Sequence, residues 1–286
     1  MTRPTADEWR GMTDRKLLLF GMSGLGKTHV SNMLRASGGW FHYSIDYRIG
    51  TRYMGDHIVD NFKREAMRNP FLRDLLLSDS IYIASNITFD NLAPLSTYLG
   101  KPGNPDLGGL PFSEYLRRQE QHRAAEIASL LDTPHFIERA ADIYNYHSFV
   151  CDSGGSICEV VDPNDPEDPV LTTLSDTTLM VWIRGTPDHT AELVRRFDRA
   201  PKPMYYEPGF LKAKWAQYLA ENDVAEAEVD PDAFVRWTYA QALDHRQPRY
   251  AAMAQHWGVT VDASDVALVA DAEGFIELVA QSLEKG

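Results

Sequence analysis

Residues 16–28 read Lys-Leu-Leu-Leu-Phe-Gly-Met-Ser-Gly-Leu-Gly-Lys-Thr. The first five form an apolar run that ends on glycine, the pattern of a strand buried on both faces of a parallel sheet. From Gly21 to Thr28 the chain fits G-x-x-x-x-G-K-[ST] at every fixed position. Glycines at those positions let backbone N–H groups curl inward around phosphate oxygens without a Cβ in the way. From Lys27 onward, Val30, Met33 and Leu34 fall on one face of a helix. The positive N-terminus of that helix would point at the same phosphates. Gly21, Met22, Ser23, Gly24, Leu25, Gly26, Lys27, Thr28 and His29 are therefore the candidate phosphate contacts. Lys27 is expected to reach the outer phosphates as a point charge, and Thr28 to offer its hydroxyl to Mg²⁺.

Outward from this stretch, strands and helices alternate. Trp40 to Ile45 reads as a second strand closed by Asp46, Ser148 to Cys151 as a third closed by Asp152, Leu179 to Ile183 as a fourth, and Val259 to Val261 as a fifth. Gly38-Gly39 stops the first long helix. Helical patterns cover most of 47–77, then 113–131 with Ser113 as N-cap, 134–144, 211–222, 231–257 and 273–283. Residues 81–84 fit a strand or a helix end equally, and 98–111 is a glycine- and proline-rich loop. The fold class expected is α/β: a five-stranded, mostly parallel sheet flanked by helices, with a large helical insertion and a lid. Residues 1–46 and 147–286 would form the core, 187–210 the lid, and 47–146 an insertion facing substrate or a partner.

Ligands of such sheets bind beyond the C-terminal strand ends, where the polar residues gather. Asp152 is placed to hold the metal with Thr28, and Asp46 to hold an acceptor hydroxyl and take its proton. Arg48 could pair with an anionic substrate group, and Gly154-Gly155 is either a tight turn or a close backbone approach to substrate. Residues 195–202, Arg-Arg-Phe-Asp-Arg-Ala-Pro-Lys, form a basic run in an acidic chain. Arginine stabilises the charge spread over a transferring phosphoryl group, so Arg196 and Arg199 are the lid residues expected to act in catalysis, with Arg195 a further lid candidate.

Together these residues resemble the shikimate kinase and gluconate kinase branch of small-molecule P-loop kinases, within the P-loop NTPases. Tyr43-Ser-Ile-Asp-Tyr-Arg-Ile49 resembles that family's strand ending in a substrate-binding aspartate, at Asp46. Phe149-Val-Cys-Asp-Ser-Gly-Gly155 resembles its glycine-rich strand end, and Met180-Val-Trp-Ile-Arg-Gly-Thr186 with the run to Pro203 resembles its strand and arginine-bearing lid. Arg249-Tyr250 and Val259-Thr-Val-Asp262 are similar to a helix and last strand whose adjoining loop lies near adenine, which implies a nucleotide contact for Arg249. Ser44 stands where the family carries the first aspartate of Asp-x-Asp. The resemblance implies ATP with Mg²⁺ and phosphoryl transfer to a hydroxyl of a small metabolite. The alternatives are a regulatory ATPase switch, a toxin-type kinase acting on a nucleotide sugar, and a non-catalytic binding protein.

Composition narrows the partners. Net charge is −13 with 44% hydrophobic residues, so a real core is expected and a nucleic-acid backbone would be repelled. Cys151 and Cys158 are too few for a disulfide framework or a zinc site. The polar first residues and the lack of a long apolar run predict no membrane segment and a cytoplasmic setting. The insertion is where a partner protein or a second copy would dock.

Overall fold

The computed structural model describes residues 3–285. Five strands form one sheet: β1 (Lys16–Phe20), β2 (Trp40–Ser44), β3 (Ser148–Asp152), β4 (Leu179–Arg184) and β5 (Gly258–Asp262). Their order is β2-β3-β1-β4-β5, and every pair is parallel. The expected α/β class is thus the one observed. Central β1 has Leu17, Leu18, Leu19 and Phe20 fully buried, which is what an unbroken apolar run requires between two helical layers. Parallel pairing brings all five C-terminal ends to one edge, so the loop after Phe20, Asp152, Arg184 and Asp262 share it.

Contacts divide the chain into two compact units. The first is Met1–Ile45, Glu126–Pro201 and Arg236–Gly286, and the second is Asp46–Ala125 and Lys202–Val235. The boundaries differ from those the sequence suggested. Residues 126–146 belong with the sheet because the Thr133–Tyr144 helix lays Phe136 on the ring of Tyr43, with centroids 4.5 Å apart. The Tyr43 hydroxyl also donates to Ser129 O at 2.8 Å. Residues 202–235 belong with the insertion because Gln119 binds that segment twice, through Met204 O at 3.0 Å and Tyr206 N at 2.9 Å. An aromatic cluster of Phe112, Trp215 and Phe234 completes that attachment.

Several local expectations are corrected. The second strand ends at Ser44, and Ile45–Arg48 turns at once into a short helix, so Asp46 sits in a helical first turn instead of closing a strand. Ile45 is buried in the helix, as it was expected to be in a strand, so its apolar character does not mark the switch. Residues 81–88 have no regular structure and join no strand ladder. The 20-residue helix after the 98–111 loop starts at Phe112, which moves Ser113 inside its first turn. Among the described residues no helix is long and apolar enough to cross a membrane.

The first and last helices meet in the first unit. The Ala6–Gly11 helix, opened by a Thr5–Glu8 capping box, packs on the Ala272–Lys285 helix. Trp9 is buried there and donates its indole N–H to Ile276 O at 3.0 Å, while Arg10 binds Glu277. Trp9→Ala should therefore cost about 3–5 kcal/mol, as expected for a buried tryptophan. Urea unfolding should show a lower midpoint with an unchanged slope.

Candidate active site

Three glycines of the loop after β1 take left-handed or otherwise positive φ: Gly21 at +133°, Gly24 at +88° and Gly26 at +103°. At Gly21 space is also decisive, because a Cβ would lie 2.6 Å from Ile183 O on neighbouring β4. Gly26 starts the Lys27–Ala36 helix without any side-chain cap, leaving its first-turn amides directed at the loop. Lys27 is only 6% exposed, and its ammonium donates to Gly21 O at 2.8 Å and Met22 O at 3.0 Å. The lysine thus lies folded across the cradle that the amides form.

Thr28 and Asp152 come together as the sequence suggested. The Thr28 hydroxyl donates to Asp152 Oδ2 at 2.7 Å. Strand pairing sets this contact, since Asp152 stands opposite Leu19 on β1 and Ser44 on β2. Behind it, His42 Nε2 lies 3.9 Å from Asp152 Oδ2. Burial lowers the His42 pKa, and the carboxylate offsets this only in part. No group of three or more His, Cys, Asp or Glu side chains among the described residues could hold a metal unaided. A metal at Thr28 and Asp152 would need oxygens from a bound phosphate and water to complete its shell, which is the usual habit of Mg²⁺.

Gly154-Gly155 serves a purpose the sequence reading did not foresee. A Cβ on Gly155 would stand 2.6 Å from the Ser23 hydroxyl oxygen, so the close approach is to the glycine loop after β1. The same turn is gripped from the long Pro231–Trp257 helix, where the Tyr250 hydroxyl donates to Gly155 O. One turn earlier, Gln247 Nε2 reaches Met22 Sδ at 2.8 Å. Arg246 forms a buried ion pair with Glu159 at 2.9 Å. Arg249, expected near a base, spends its guanidinium on Cys158 O at 2.6 Å and Val161 O at 2.8 Å. On the other side Glu126, fully buried, takes the Ser156 hydroxyl at 2.7 and 2.9 Å from its two oxygens. Tyr250, Gln247, Arg246, Glu159 and Glu126 were not among the sequence candidates. The i, i+3 and i, i+4 spacing of Arg246 with Arg249 and Tyr250, and of Gln247 with Tyr250, was the available signal.

The basic run forms the last turns of the Pro187–Arg199 helix. This helix adjoins the loop, since a Cβ on Gly24 would meet Leu193 Cδ2 at 3.0 Å, and Phe197 anchors it by stacking 3.8 Å from Tyr239. Arg195, Arg196 and Arg199 lie on exposed positions. Arg196, 66% exposed in its side chain, and Arg195 both pair with Glu192 of the same helix, at 2.8 and 2.9 Å. Asp46 and Arg48 belong to the second unit, where the Arg48 guanidinium lies 5.5 Å from the centre of the Tyr53 ring. Both cysteines are buried, and burial pushes the Cys158 thiol up to about 12 and Cys151 further, so neither is a nucleophile.

No protein family and no curated protein matches the chain. Among solved structures it is similar to shikimate kinase from Bacteroides thetaiotaomicron, at 16% identity over 95% of this chain and 97% of that one, with a TM-score of 0.37.

Two outcomes follow from the geometry. Gly155→Ala should destabilise the protein by about 1–3 kcal/mol through the clash with Ser23. Adding Ser23→Ala should recover part of that loss in urea unfolding, because it removes the atom 2.6 Å from the new methyl. His42 has a lowered folded pKa, so the unfolded chain binds the extra proton first. Its contribution is whole above pH 6.5 and is lost as pH falls below that value, until the folded histidine also protonates. His42→Gln should flatten this part of the unfolding midpoint's pH profile.

Proposed function

We propose that the chain is an ATP- and Mg²⁺-dependent phosphotransferase acting on a hydroxyl group of a small molecule. The observation that carries this reading is the Thr28–Asp152 contact at 2.7 Å beside a glycine cradle with Lys27 folded into it. A hydroxyl and a carboxylate side by side next to a phosphate cradle suit a hard cation that also binds phosphate oxygens. When bound there, Mg²⁺ supplies charge neutralisation for the phosphates.

In this reading the loop amides from Met22 to Lys27 hold the phosphate chain by directed N–H groups. Lys27 exchanges its two carbonyl partners for phosphate oxygens. Asp46 holds the acceptor hydroxyl and takes its proton as that oxygen bonds to the terminal phosphorus and the bond to the leaving diphosphate breaks. Arg48 pairs with an anionic group of the acceptor. Arg196 leaves Glu192, and with Arg199 leaves solvent, to meet the transferring group, a change that costs little because exposed ion pairs contribute about 0–1 kcal/mol. His42, neutral behind Asp152, leaves the carboxylate's charge available in front.

Calorimetry with ATP and Mg²⁺ is the direct test. Lys27→Ala should weaken binding by at least about tenfold, the loss of one charge-assisted contact worth ~1.5–3 kcal/mol. Unchanged affinity would remove the assignment. Stimulation of ADP release by one hydroxyl metabolite, lost in Asp46→Asn, supports transfer. Fast ATP hydrolysis with no response to any acceptor would point to a switch instead.

A further inference from the structure

In the second unit, the Pro70–Leu77 helix has no buried residue, although its sequence is Pro-Phe-Leu-Arg-Asp-Leu-Leu-Leu. Leu72, Leu75 and Leu76 are half-buried and turn toward the rest of the unit. Phe71 and Leu77 are each 71% exposed. Pro70, Arg73, Asp74 and Leu77 are all exposed and recur at i, i+3, i+4 and i+7. That spacing makes them one outward stripe, with Phe71 beside it. Single exposed apolar residues are ordinary. Two of them on a helix that buries nothing are the mark of an interaction surface.

The order of residues says what covers it. Arg73 and Asp74 straddle the midpoint of the helix, with three apolar residues on either side. Five residues before Arg73 stands Arg68, and five after Asp74 stands Asp79, both exposed. Polarity is therefore symmetric about the midpoint while the sign of charge is reversed. A two-fold axis through that point sets Arg73 of one copy against Asp74 of the other, Pro70 against Leu77 and Arg68 against Asp79. Such self-complementarity is what an isologous contact requires. Within one copy these charges are poorly used: Arg73 lies 3.6 Å from adjacent Asp74, whose side chain is 75% exposed.

Electrostatics favours the same partner. A chain of net charge −13 repels its own copy over most of its surface. Residues 68–79 carry two arginines and two aspartates, so this face meets its image without net repulsion.

We propose that the Pro70–Leu77 helix is the contact face of a two-fold dimer, packed antiparallel on the same helix of a second copy. A contact centred on about 12 Å of helix falls below the ~800 Å² per partner of standard interfaces, so the dimer is weak and forms at high concentration. The inference stands on this helix alone and holds whether or not the loop after β1 transfers phosphate.

The test is sedimentation velocity on the full chain from ~5 to ~500 µM, a range in which mass action carries a weak dimer from dissociated to formed. The wild type should move from monomer to dimer. Arg73→Asp or Asp74→Arg alone sets like charges face to face and should weaken the dimer at least about tenfold. An equimolar mixture of these two variants, and the double reversal Arg73→Asp with Asp74→Arg, should each regain affinity to within about threefold of wild type. Leu77→Lys, also at an exposed position, should weaken the dimer by a similar factor and keeps the test decisive if a charge variant misfolds. A wild type that stays monomeric throughout, growth beyond a dimer, single variants that associate like wild type, or a mixture no better than its components would each overturn the proposal.

Discussion

A backbone that must curl so that its amides point inward, immediately after a strand that must stay straight and buried, is the constraint on which the first unit depends. Gly21 and Gly26 allow the reversal, because each holds a φ that a side chain would strain. The cost is a concave face with first-turn amides that no side chain caps. In this structure Lys27 folds over that face and satisfies two carbonyls on its rim, so the charge is stored next to where an anion would bind. A buried lysine would otherwise be expensive, and its hydrogen bonds to Gly21 and Met22 are what make the position tenable.

Much of the surrounding structure serves to keep that loop in place. Gly155 presses on Ser23, Gly185 on Leu25, and Gln247 on Met22, so the loop is supported from β3, β4 and the long helix together. The Arg246–Glu159 pair fixes the long helix to the segment after β3. Losing one partner of such a pair typically costs 3–5 kcal/mol, because the other charge stays buried. Burial raises the Tyr250 pKa, so its hydroxyl keeps the proton it donates to Gly155 O. The Pro187–Arg199 helix is held differently: Phe197 anchors it by stacking on Tyr239, while Arg195 and Arg196 lie exposed and paired with Glu192.

The readings that succeeded and those that did not separate by the range of the interactions behind them. The span of β1, the glycine loop and the start of its helix are local patterns, and each is found where the residues placed it. The end of β2 is not local: an apolar Ile45 suits a buried helical turn as well as a buried strand, so the surrounding packing decides that Asp46 belongs to a helical turn. Gly154-Gly155 looked like a turn or a substrate contact, whereas the atom that excludes a side chain at Gly155 is Ser23, distant in sequence. The four-residue spacing of Glu192 and Arg196 is local and accounts for where that arginine rests.

By itself the sequence determined the alternation of strands and helices, the glycine loop after β1 with Lys27 and Thr28, and the nomination of Asp152, because each follows from residue types at short spacing. Tertiary structure alone decided that Asp152 meets Thr28, that the 126–146 segment joins the sheet while 202–235 joins the insertion, and that Arg249 caps backbone carbonyls. The reason is physical. Short-range patterns record steric and hydrogen-bonding preferences of the local chain, whereas pairing across a sheet and the partners of a buried charge depend on which distant segments arrive beside it.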